Sequence, residues 1–257
     1  MENDINKYFP IGLIGQCHNI VDKEKFQLAL GMLRSSIIPS LQDTFFVSDN
    51  IITWNKNFSF LRDTYYFDLL KRAESSTIEK SIIWRTYTLT QFAMIADLVE
   101  GDFIELGVLS GYHVDRVLEC VSFKDRNYFL FDLFEWKEGD SHQKLQNHND
   151  DLYQKVVNKY KPYNYIKIIR GNVPQSFNEG FPNKVAFAHI DMNNADPEVA
   201  SIKKIIPILS KGGIIILDDY GWYGYRRQKI ALDPVVKSFG LKIIELPTGQ
   251  GLIINNL

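Results

Sequence analysis

GDFIELGVLSGYHVDRVLECV, residues 101–121, holds the transition that decides the fold. An apolar strand candidate over 101–107 runs through glycines at 107 and 111 straight into a helical pattern over 111–121. Strand, glycine-bearing turn and helix in that order form half of a βαβ unit. The rhythm repeats downstream, with NYFLFDL (127–133), NYIKIIRG (164–171), KVAFAHID (184–191) and GGIIILDD (212–219) as further strands. Helix candidates fill the gaps at 149–160, briefly after Pro174, at 197–210 and at 223–238. Pro197 suits a first helical turn. Every crossover is long enough to join parallel neighbours, so an α/β fold is expected.

The tail breaks the rhythm. LKIIELP (241–247) and GLIINNL (251–257) are separated only by Thr248, Gly249 and Gln250, which allows a hairpin and no crossover helix. A dinucleotide-binding sheet would continue in parallel, so the tail argues against one. Upstream, 22–38 reads as helix, the aromatic DTFFVSDNIITWNKNFSFLRD (43–63) as irregular, and 75–99 as one long helix. The expected organisation is a mostly helical extension over 1–80, a substrate cap or oligomer contact, and an α/β domain over 81–257.

A net charge of −2 and a pI near 6.2 supply no basic field for a polyanion, which argues against a nucleic-acid partner. Cys17 and Cys120 are too few and too far apart for a disulfide framework or a thiolate metal site, and they suit a reducing compartment. The opening MENDINKYFP has no signal-peptide pattern and no apolar run approaches membrane-spanning length. A cytoplasmic protein without membrane contact is expected.

The chemistry collects at the carboxyl ends of the strands. Glu105, Gly107, Ser110 and Gly111 surround the first strand-to-helix turn, where glycines let a ligand approach a helix N-terminus. The GxxxG spacing with an acid two residues ahead suits a ligand ammonium better than a pyrophosphate, and S-adenosylmethionine (SAM) carries one. The same glycines would equally serve tight packing. Asp132, ending the second strand, is placed to meet ribose hydroxyls, and Asn172 after the third strand an adenine edge or a simple turn. After the fourth and fifth strands stand Asp191 and the pair Asp218–Asp219. Three like charges at neighbouring strand ends repel, and a hard divalent cation such as Mg²⁺ relieves that repulsion.

Around this triad, Asp191, Asp219, His189 and His113 are the candidates for proton transfer, although strand alternation turns His189 away from the site as readily as toward it. Tyr220, Trp222, Tyr223 and Arg226 follow the aspartate pair as candidate substrate contacts, Arg226 for phosphate or for surface ion pairing. His142 and His148 lie in KEGDSHQKLQNHNDD (137–151), read as a solvated loop or lid rather than a zinc site. Phe45, Phe46, Trp54, Phe58, Phe60, Tyr65 and Tyr66 could stack on a sugar or base, or simply pack a core.

ELGVLSG, GNVPQSF, HIDMNN, LSKGGIIILDDYGWYGYRRQK and LPTGQGLII, in this order over about residues 45–257, resemble the macrocin O-methyltransferase family of metal-dependent sugar O-methyltransferases. The resemblance implies a class I methyltransferase sheet of seven strands in which the last inserts, antiparallel, between the fifth and sixth. It also implies SAM held by Glu105, Gly107 and Asp132, Mg²⁺ held by Asp191, Asp218 and Asp219, and a homodimer or higher oligomer. Several family members carry an acid resembling a general base where this chain has Asn193, and an amide cannot accept the proton. The acceptor implied is a sugar hydroxyl, on a nucleotide-linked hexose or heptose of a surface polysaccharide. The alternatives are a natural-product glycoside, a non-catalytic SAM-binding protein and, disfavoured by GxxxG and the hairpin, an NAD-dependent oxidoreductase.

Overall fold

The computed structural model describes residues 13–72, 76–138 and 151–256, so His142 and His148 lie outside the described residues. The chain divides into two compact units, Met1–Tyr87 and Thr88–Leu257.

In the first unit, β1 (Leu13–Ile14), β2 (Phe46–Ser48) and β3 (Ile51–Thr53) form a three-stranded sheet, β1–β2 parallel and β2–β3 antiparallel. The aromatic stretch over 43–63, expected to be irregular, makes a hairpin whose turn residues Asp49 and Asn50 take left-handed φ of 51° and 61°, a conformation short polar side chains tolerate. Around the sheet lie α1 (Lys23–Ser35), α2 (Thr64–Lys71) and α3 (Thr77–Ser81). Phe46, Phe58, Phe60 and Tyr66 pack with Trp84 and Tyr87 into an aromatic core, while Trp54 stays largely exposed. Density of aromatic residues meant core here.

The helix expected over 75–99 is two. Ser76 and Glu79 close a capping box that starts α3, and the chain leaves helical geometry at Ile82 before α4 (Ile83–Ala96). At that break Ser48 Oγ donates to the Ser81 carbonyl at 2.7 Å, and Arg85 forms a buried two-point ion pair with Asp49 at 2.6 and 2.8 Å. The break therefore coincides with anchors to the hairpin.

The second unit is built on a seven-stranded sheet of β4 (Asp102–Leu106), β5 (Tyr128–Asp132), β6 (Ile166–Arg170), β7 (Val185–Ile190), β8 (Leu209–Leu217), β9 (Ile244–Glu245) and β10 (Gly251–Ile254). Their order is β6-β5-β4-β7-β8-β10-β9, and β10 runs antiparallel between β8 and β9. This is the insertion expected of the terminal hairpin. The helices α5 (Tyr112–Cys120), α6 (Leu152–Tyr160), α7 (Ala195–Ile205) and α8 (Arg226–Ser238) complete the unit, each shorter by a few residues than its sequence signal.

Strand alternation sorts the core into two layers. Phe103, Tyr128, Leu130, Phe187 and Ile216 meet Val114, Val117, Leu152 and Val156 on one face, while Ile104, Leu106, Ala188, Ile190 and Ile215 meet Ile202, Ile205, Leu232 and Val236 on the other. Because the period is two, Glu105, His189 and Asp218 continue the rows of Phe103, Phe187 and Ile216 and share the first face. The hairpin belongs to this core, with Leu252 in one layer and Ile253 in the other. Ile253→Ala is expected to cost about 2–5 kcal/mol in urea denaturation, the range for a truncated core isoleucine; a loss below about 1 kcal/mol would show that β10 lies outside the cooperative core.

Candidate active site

The carboxyl end of β4 lies close against that of β7. A Cβ on Gly107, whose φ is +90°, would fall 1.8 Å from the Asp191 carbonyl oxygen, so only glycine fits. The loop then turns through Leu109, left-handed at φ 48°, to Gly111 at the N-cap of α5 with φ +83°. A Cβ there would strike the Tyr160 hydroxyl at 2.1 Å. That hydroxyl lies 2.9 Å from the Gly111 carbonyl, and Lys159 Nζ donates to the Ser110 carbonyl at 3.0 Å, so α6 braces the loop.

Asp132 is the loop's second brace. Its Oδ2 accepts from the backbone N–H of Val108 and Leu109 at 2.6 and 2.8 Å, and its Oδ1 from Phe134 at 2.5 Å. A carboxylate with three N–H donors is occupied in shaping the loop, a task the sequence reading did not assign it beside the ribose contact. Asn172 is exposed after β6, and its carbonyl caps Ser176. Behind it the Ser176 hydroxyl is buried and has no hydrogen-bond partner, a polar atom the sequence reading missed. A glycine-lined loop at a helix N-terminus and an unsatisfied hydroxyl nearby fit a polar cofactor laid across the strand ends.

Glu105 is placed differently from the expectation. Only 1% exposed, it receives the Tyr128 hydroxyl on Oε2 at 2.8 Å and faces His189 Nδ1 with Oε1 at 2.8 Å. It sits beneath the loop rather than at its surface, because β4 and β7 pair Glu105 with His189 in register. His189 is fully buried, with Nε2 3.5 Å from Asp218 Oδ1. Burial opposes charge on the ring, but Glu105 and then Asp218 outweigh it and hold the imidazole well above its ordinary pKa. A ring buried between two carboxylates offers no lone pair to a substrate, so the geometry does not give His189 the base role. His113, at the start of α5, stands edge-on to it with ring centres 4.8 Å apart.

Among the described residues, one group of three metal-ligating side chains has its ligand atoms within 4.8 Å of one another, Glu105, His113 and His189. The Glu105–His189 ion pair holds two of the three together, and His113 stands edge-on to His189. Asp191, Asp218 and Asp219 do not gather that tightly. Asp218 Oδ1 accepts from buried Gln250 Nε2 at 2.9 Å, while Asp191 Oδ1 accepts from Asn193 Nδ2 at 3.3 Å. The donor set is nonetheless hard carboxylate oxygen at adjoining strand ends, the chemistry a hard cation takes.

A fourth acid stands near this triad and was not singled out from sequence, where it reads as an ordinary first-turn acid of α7. Glu198 is buried and accepts from Gln228 Nε2 of α8 at 2.8 Å. Burial first, then the charge of Asp219, pushes its carboxyl up to about 8, against backbone hydrogen bonds from Met192 and Asn194. Among the candidate substrate contacts, Tyr220 is buried, its hydroxyl bonded to Asp233 and receiving Lys229 Nζ at 2.7 Å, so it fastens α8 rather than facing a ligand. Trp222 packs on Gly249. Tyr223 is exposed, with the Arg226 guanidinium 4.6 Å above its ring.

The strand order, the glycine loop and the acids after β7 and β8 define the class I methyltransferase fold. Residues 104–220, from β4 through β8, match the family model of a methyltransferase domain, and the fold is that of the class I SAM-dependent methyltransferases. It is similar to the structure of the O-methyltransferase NovP at 19% identity, over 71% of this chain and 82% of that one, with a TM-score of 0.56. It is also similar to the apo structure of CalS11, a TDP-rhamnose 3′-O-methyltransferase of calicheamicin biosynthesis, at 16% identity over 92% and 96% of the two chains, TM-score 0.52. No curated protein matches. No helix among the described residues is long and apolar enough to cross a membrane.

Glu198 yields a pH test. Its ordinary value is 4.5 and its folded value about 8, so the folded state holds an extra proton between them. Stability is then greatest below about pH 4.5 and falls as pH rises toward 8, by at most about 5 kcal/mol from this group. Glu198→Gln, always neutral, is expected to lack that fall, so urea denaturation at about pH 5 and pH 8.5 should favour the variant at the higher pH. Parallel profiles for the two proteins would overturn the assignment.

Proposed function

We propose that this chain transfers the methyl group of SAM to a hydroxyl of a sugar, with a divalent cation at Asp191, Asp218 and Asp219. The observation that carries the reading is the set of carboxylates after β7 and β8, beside a glycine loop at the mouth of a methyltransferase sheet. Similarity to NovP and to an enzyme named for TDP-rhamnose supports an O-linked, nucleotide-linked sugar acceptor. The fuller resemblance of the motifs to the macrocin O-methyltransferase family supports the same substrate class.

In this reading the loop over Gly107–Gly111 and the N-terminus of α5 take the methionine end of the cofactor, and Asn172 with Ser176 the adenine side. Asp132 holds the loop in shape. Bound SAM supplies a methyl group on a positively charged sulfur, ready for in-line displacement. A bound cation supplies charge that lowers the pKa of the acceptor hydroxyl. Tyr223 and Arg226 offer an exposed ring and guanidinium to the acceptor, the latter to a phosphate. With His189 buried and an amide at 193, Asp191 and Asp219 are the carboxylates at the strand ends left to receive the proton. Catalysis then rests mainly on placing the two reactants in line. A homo-oligomer working in the cytoplasm completes the proposal.

Asp219→Ala is expected to abolish methyl transfer while SAM affinity in calorimetry stays within about tenfold, or 1.4 kcal/mol. Full turnover by this variant, or undiminished turnover in EDTA, would remove the cation from the mechanism. Assays on nucleotide-linked hexoses beside free glycosides address the acceptor, and turnover with the free glycosides alone would overturn the nucleotide-linked assignment.

A further inference from the structure

A continuous string of buried polar side chains runs under the candidate site and across the sheet. Tyr128 of β5 donates to Glu105 Oε2 at 2.8 Å, Glu105 Oε1 faces His189 Nδ1 of β7 at 2.8 Å, and His189 Nε2 faces Asp218 Oδ1 at 3.5 Å. The same Asp218 oxygen accepts from Gln250 Nε2 at 2.9 Å, and Gln250 Oε1 accepts from the Thr248 hydroxyl at 2.9 Å. Each of these six side chains belongs to a residue at most 4% exposed. Strand pairing sets the spacing, since Glu105 lies opposite His189 in the β4–β7 register and His189 opposite Ile216, two residues before Asp218, in the β7–β8 register.

From this geometry we infer that Glu105 and His189 are positioning residues for Asp218. An acid two residues before a glycine loop reads from sequence as a ligand contact, yet both oxygens of Glu105 have partners within the sheet, one in Tyr128 and one in His189. Removing a carboxylate from water is costly unless it is paired, and a histidine between two carboxylates serves both. The arrangement fixes which oxygen of Asp218 is held inside the protein, by His189 and Gln250 together, and thereby which way the other faces. Outer partners of this kind orient a metal-binding carboxylate without touching the ion. The inference rests on the cation reading given above.

The test uses the full-length chain and two probes, Mn²⁺ followed by the paramagnetic resonance of the free ion and S-adenosylhomocysteine followed by calorimetry. Glu105→Gln is expected to weaken Mn²⁺ binding about tenfold, with S-adenosylhomocysteine affinity within about threefold of wild type. His189→Gln should produce the same pattern, and the double variant should be no weaker than either single one, because both act through one oxygen. Weaker S-adenosylhomocysteine binding with Mn²⁺ binding unchanged would overturn the inference and make Glu105 a cofactor contact. Unchanged binding of both ligands by folded variants would also overturn it, leaving the pair as core alone. Should the buried-charge variants fail to fold, Gln250→Met removes the neutral donor on Asp218 Oδ1 and must likewise weaken Mn²⁺ selectively; unchanged Mn²⁺ affinity there sinks the inference. Absence of Mn²⁺ binding by the wild type would instead sink the cation reading, and this inference with it.

Discussion

A carboxylate buried in the middle of a sheet must be paired, and Glu105 is such a carboxylate. Its partner could come only from a strand in register beside it, which makes the β4–β7 pairing more than a contact of apolar rows. Once Glu105 and His189 lie opposite each other, Asp218 at the end of β8 falls within reach of the far side of the ring. The antiparallel insertion of β10 then brings Gln250 to the same oxygen. The topology of the terminal hairpin and the setting of a candidate active-site acid are thus one arrangement. A parallel seventh strand would enter β10 from the opposite end and carry the Thr248–Gln250 turn away from Asp218.

Above that buried string the loop after β4 is held by neighbours rather than by its own residues. Asp132 supplies acceptors for two of its N–H groups, the end of α6 braces Ser110 and Gly111, and Gly107 lies hard against the backbone of β7. A loop braced in this way keeps its shape before a ligand arrives, so little ordering free energy is lost on binding. The rigid parts of the site are those nearest the sheet, whereas Tyr223 and Arg226 stand in solvent on the 3₁₀ turn and first residue of the helix that follow.

The fold was legible because its signals are local and repeated. Strand periodicity, glycine turns and a three-residue gap too short for a helix marked the parallel strands and the terminal hairpin, and the family resemblance placed the last strand between the fifth and sixth. What escaped were features that depend on neighbours distant in the chain. Period-two alternation says that Glu105 and His189 each have a face, but not that registry sets them side by side. The hairpin of the first unit was hidden because its strands, Phe46–Ser48 and Ile51–Thr53, are too short to show a clean alternation, and the break at Ile82 because its anchors come from residues more than thirty positions away. Glu198 was invisible because only burial distinguishes it from any acid in a helix's first turn.

Asn193 gains a physical meaning from the same charges. Asp191, Asp218 and Asp219 stand at the ends of two adjacent strands with Glu198 of α7 near the last two, and each added negative charge raises the cost of ionising the rest. Two features lower that load without a cation. Glu198 is held protonated up to about pH 8, and position 193 carries an amide whose Nδ2 donates to Asp191 where a carboxylate would repel it. The left-handed backbone of Asn193, φ 55°, is a conformation asparagine tolerates better than most residues, so the amide also suits the turn. Replacing an acid at this position therefore stabilises the unliganded cluster while removing a proton acceptor. In the proposed reaction, deprotonation of the acceptor then leans on the remaining strand-end carboxylates and on the positive charge they would gather.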